Sequence, residues 1–159
     1  MSEENLTEQP KAFESIIFGG LTVGVLDGLA ACVSALITGI SPIIVFQYIS
    51  AALLGRASYG YGWATVSLGV LLHFSVAFSA AIVYFLLSRK ISFLTRQAVI
   101  SGIVYGIAVH LTMSFLIVPL TLAPPLPFTI SGFIRQTLIH IFCVGLPIAL
   151  VARWSAKKH

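Results

Sequence analysis

Four long apolar runs, about 12–40, 63–88, 97–118 and 130–154, divide this chain, and each meets the roughly 20 residues that a helix needs to cross a bilayer. Polar stretches and stretches rich in glycine or proline separate them. The pattern predicts an all-α protein, a four-span transmembrane helical bundle with a short interfacial helix between spans one and two. Residues 1–11, polar and containing Pro10, form a first tail, 12–154 a single four-helix membrane domain, and 155–159 a second tail.

The interfacial helix is read from its punctuation. Ser41 is suited to cap a helix, Pro42 is pre-set for the first helical position, and Gly55 supplies a stop. The segment between, Ile43 to Leu54, is too short to cross, so it is expected to lie in the outer interface or dip partly into it, with Gln47 and Tyr48 toward the headgroups. Tyr59, Tyr61 and Trp63 mark the aromatic belt where span two begins. After span three, Pro119, Pro124, Pro125 and Pro127 stop the helix and favour an extended outer loop up to Thr129.

Small residues recur at helical spacing. Gly20, Gly24 and Gly28 form a narrow face on span one, Gly69, His73, Ala77, Ala80 and Tyr84 follow one face of span two, and Gly102, Gly106, His110 and Ser114 follow one face of span three. Such faces let a neighbouring backbone come close. On span four, Gln136, His140, Cys143 or Val144, and Pro147 share roughly one side. Pro147 has no N–H to give the carbonyl of Cys143, which leaves either a packing kink or a free acceptor one turn from His140.

Composition agrees with a membrane setting: 58% of residues are hydrophobic and 9% charged, and the mean hydropathy is +1.01. The net charge of +4 does not point to nucleic acid, because the basic residues sit at the ends of apolar runs. Lys11, Arg89, Lys90, Arg96, Arg153, Lys157 and Lys158 fall on one side of a four-span chain, and only Arg56 and Arg135 on the other. Seven against two places both termini and the middle link in the cytoplasm. The lipid bilayer is the expected partner.

Cys32 and Cys143 lie at depths about 12 Å apart along the bundle axis, too far for a disulfide, and are expected to be small packing residues. Leu29-Ala30-Ala31-Cys32 has the form of a lipoprotein cleavage box. The acidic start with Glu3, Glu4, Glu8 and Glu14, and Asp27 within the apolar run, argue against a signal peptide.

Candidate chemistry comes from the spans themselves. Asp27, His73, His110 and His140 each lie near the middle of one span, at depths within about 4 Å of one another. An ionisable group at mid-bilayer costs several kcal/mol unless it faces the protein interior, so these residues are expected to meet. Three imidazoles and one carboxylate are a donor set for a divalent transition metal. The same groups serve a proton relay, with Tyr84, Tyr105 and Ser114 assisting. Haem would need only two facing histidines, although no diagnostic pair stands out. A polar knot that fixes helix order uses the same residues with no ligand, and the glycine faces would then recruit a membrane-protein partner or a second copy. No nucleotide-binding loop, cysteine pair or nucleophile elbow appears in a fitting context, so an enzyme is the less favoured class.

His73 to Tyr84 (HFSVAFSAAIVY), the basic link that follows, Gly102 to His110, and the proline-rich turn after span three together resemble the YagU-like family of small bacterial inner-membrane proteins. The resemblance implies a bacterial inner-membrane location and names no settled activity.

Overall fold

The computed structural model describes residues 11–157, and among these it contains helices and no strand. Four helices are long and apolar enough to cross a membrane: α1 (Glu14–Ile37), α3 (Trp63–Lys90), α4 (Ala98–Leu120) and α5 (Ile130–Ala156). The short α2 (Pro42–Leu54) lies between α1 and α3 in the chain, and a single helical turn, Phe93–Arg96, occupies the link between α3 and α4. Residues 1–10, 158 and 159 of the expected tails lie outside the described residues, and so does Lys158 of the charge count.

Local chemistry sets the helix ends. Thr38 Oγ1 donates to the carbonyls of Ser34 and Ala35 at 3.2 and 2.9 Å, and Gly39 turns the chain at φ +77°, so α1 stops short of the expected Ile40. The Ile43 N–H donates to Ser41 Oγ at 3.4 Å, Pro42 takes the first turn, and Gly55 at φ +58° ends α2, as the sequence predicts. Thr129 Oγ1 accepts from the Gly132 N–H at 3.1 Å and caps α5. That helix outlasts the expected boundary at 154. Ser155 and Ala156 are buried, and Ser155 Oγ lies 2.7 Å from Ser15 Oγ, so these two residues belong to the bundle and not to a tail.

Side-chain sizes are sorted opposite to those of a water-soluble globule. Ala77, Ala81, Ala98, Ala149 and Ala152 line the core with Tyr84, Val144 and Ile148, whereas Leu29, Leu71, Val104, Phe115 and Phe142 face outward. Small residues inside and bulky apolar ones outside suit helices packed within lipid, where close backbone contact does the work that hydrophobic burial does in water.

Two features go beyond the sequence pattern. The first concerns α2, which packs on α3 with the Phe46 carbonyl against Gly69, and the Phe46 ring reaches His73. Gln47, expected at the headgroups, is 6% exposed and its Nε2 points to the Gly62 carbonyl at 3.5 Å. The Leu122 N–H donates to the Ala52 carbonyl at 3.1 Å and ties the proline-rich loop to the same helix. Thus α2 packs along the N-terminal half of α3, because Gly69 removes the side chain that would hold it off.

The second feature is helical winding. Met113–Ile117 in α4 and His140–Gly145 in α5 are π-helical, and each run lies just before a proline, Pro119 or Pro147. Proline cannot supply the next N–H of the ladder, and the N–H groups of Val118 and Leu146 instead reach back five residues to Met113 and Ile141. The kink expected at Pro147 therefore takes the form of a widened turn that starts at His140.

Candidate functional site: a histidine pair between α4 and α5

Glycine is what lets α4 and α5 touch. A Cβ on Gly106 would stand 2.6 Å from the His140 carbonyl oxygen, and one on Gly102 would stand 2.9 Å from Leu146 Cα. From the other side, a Cβ on Gly145 would strike the Gly102 carbonyl and the Gly106 backbone. Sequence spacing revealed the α4 half of this notch. Its counterpart Gly145 was missed, although a glycine face that tight requires a small residue opposite.

This contact sets His110 and His140 side by side, with ring centroids 4.9 Å apart and planes tilted by 46°. Phe133 also packs on His110, with ring centroids 5.0 Å apart. His140 Nδ1 lies 2.8 Å from the Gln136 carbonyl oxygen. A carbonyl only accepts, so Nδ1 carries the proton and Nε2 of the neutral ring presents a lone pair. His110 Nδ1 lies 3.4 Å from Ser114 Oγ, one turn along α4. His110 is 5% exposed, and its buried Nε2 has no hydrogen-bond partner. Leaving a buried polar atom unpaired costs about 1–3 kcal/mol, and this nitrogen shares that condition with the hydroxyls of Ser58 and Ser101. Rings this close leave no room for a macrocycle between them.

The other candidates are placed differently. His73 Nε2 donates to the Gly24 carbonyl at 2.9 Å, and its ring meets the edges of Phe46 and Phe74 at 6.2 and 5.8 Å. The glycine face of α1 receives it: Gly20 faces Phe78, Gly24 faces Phe74, and a Cβ on Gly28 would lie 3.2 Å from His73 Nε2. His73 therefore belongs to the α1–α3 contact. Asp27 is half-buried on α1, one residue from Gly28. Among the described residues, no three or more His, Cys, Asp or Glu side chains are grouped to hold a metal ion.

Tyr84 and Tyr105 pack edge to face at 4.9 Å, but their hydroxyls donate to the carbonyls of Leu94 at 2.9 Å and Ala80 at 2.7 Å. Each thus pins one helix or link to another. Ser114 alone of the three assisting groups touches a histidine. Both cysteines are free and half-buried. Family models, curated proteins and solved structures contain no match to this chain.

Proposed function

We propose that this chain is a small multi-pass protein of the bacterial inner membrane that mediates proton-linked transfer, with His110 and His140 as the exchanging pair. The observation that carries the reading is the unpartnered, buried Nε2 of His110 beside the His140 ring. A nitrogen that gains a partner only when a proton, water or ion arrives is suited to transient occupancy. Asp27, half-buried on α1, is the carboxylate that would balance a positive charge on the pair. Both termini face the cytoplasm in this reading, supported by the seven-to-two division of basic residues.

The test is proton flux into liposomes that contain the purified chain and a trapped pH-sensitive dye. An imposed gradient should collapse faster than in empty vesicles, and His110→Ala should abolish the difference. Equal rates for the two proteins would refute the proposal.

A structural reading has its own support. His73, Tyr84 and Tyr105 all spend their donors on backbone carbonyls of neighbouring segments, which is how a polar knot fixes helix order. In that reading the chain is a packing or interaction subunit, and loss of His110 would alter stability alone.

A further inference from the structure

We infer that the His110–His140 pair is a two-imidazole chelate for one divalent transition-metal cation, an inference that rests on the same site as the proton-transfer reading and names a ligand for it. Metal–nitrogen bonds of about 2.0–2.1 Å, with the ring centre about 1.1 Å further on, put two imidazoles at a tetrahedral angle on one ion about 5 Å apart. The observed centroid separation is 4.9 Å.

Both rings have their second nitrogen oriented as in a metal-ligating histidine. Such a histidine usually gives its other N–H to a carbonyl, a carboxylate or water, which fixes the tautomer and frees the ligating lone pair. His140 does this through Nδ1 and the Gln136 carbonyl, and His110 has Ser114 Oγ at Nδ1. The Nε2 of His110 is then left buried and unpartnered, with the His140 ring of α5 packed beside its own.

Neutral nitrogen donors select zinc, copper, nickel or iron over magnesium and calcium, which take oxygen. Water or a small anion completes the coordination. His73 takes no part, since its Nε2 is held by Gly24. The site is therefore narrower than the four-residue set that depth alone suggests.

The experiment is a Zn2+ titration of the full chain in detergent against a competing fluorescent chelator, repeated with Co2+ to read the ligands by absorption. One ion per chain is expected, weakened at least tenfold by His110→Ala and by His140→Ala, and unchanged by His73→Ala. His110→Cys should retain Co2+ and add a thiolate charge-transfer band, which keeps the inference testable if an alanine variant fails to fold. Absence of Zn2+ binding, or binding indifferent to both alanine variants, overturns it. Proton flux measured on the same preparations separates the two readings: flux without Zn2+ binding removes the chelate and leaves proton transfer, and Zn2+ binding without flux does the reverse.

Discussion

His73 Nε2 lies 2.9 Å from the carbonyl oxygen of Gly24, so the histidine of α3 serves as a clamp on the backbone of α1. The bond passes through a notch that only glycine leaves open, since Phe74 and Phe78 fill the adjacent spaces at Gly24 and Gly20. His73→Phe keeps the ring and loses the donor. It should lower stability by about 1 kcal/mol, the net worth of one such bond, and leave proton flux and Zn2+ binding intact. Thermal unfolding in detergent micelles, measured beside the flux assay, checks both halves; a loss of flux in the folded variant would return His73 to the site.

His110 calls for the opposite result. Its Nε2 is buried without a partner, so the native fold carries a desolvation cost there. His110→Leu removes that atom and fills most of the same space. The variant should be as stable as the wild type or more so, while flux and Zn2+ binding disappear. A residue retained against stability is one that serves function, and a marked loss of melting temperature in His110→Leu would instead support the packing reading.

Much of the fold was legible because each level of the sequence agreed with the next. Apolar run length gave the four spans, and Ser41, Pro42 and Gly55 marked helix ends by hydrogen-bonding and backbone rules that act within a few residues, whereas the Thr129 cap emerged only in the structure. An expectation of depth follows from constant helical rise; azimuth does not. Asp27 and the three histidines are expected at one level, yet side-chain direction and helix order separate a His73 clamp from a His110–His140 pair. Gln47 illustrates the same limit, because a polar residue on a short apolar helix reads as headgroup-facing until Gly69 admits the helix against α3. The π-helical turns were visible only as Pro119 and Pro147, whose effect on the preceding ladder depends on what the neighbouring helix allows.

The glycine contact gives a sharp stability test. Gly145→Ala would drive a methyl group into the Gly102 carbonyl and the Gly106 backbone, neither of which can move without separating α4 from α5. Loss of more than about 2 kcal/mol is expected, at the upper end of overpacking costs. Gly60→Ala is the control, for a Cβ there meets nothing within 4 Å. Thermal unfolding and detergent gel filtration should show Gly60→Ala unchanged and Gly145→Ala destabilised or aggregated; similar behaviour of the two would mean that α4 and α5 do not meet through backbone.

The widened turn in α5 should matter for function more than for folding. The Leu146 N–H bonds to the carbonyl of Ile141, five residues back, and Pro147 contributes no N–H to restore the ordinary ladder. Pro147→Ala supplies that N–H. If the turn tightens to an α-helix, one residue's worth of rotation, about 100°, is removed between His140 and Leu146, and His140 swings away from His110 while the Gly145 contact holds. The variant is expected to melt at a higher temperature, yet to lose flux and to bind Zn2+ at least tenfold more weakly. Cysteine pairs introduced at positions facing across α4 and α5 would report the swing by their cross-linking pattern. A more stable variant with full flux would show that the π turn does not aim His140, and the pairing would then rest on the Gln136 carbonyl and Phe133 alone.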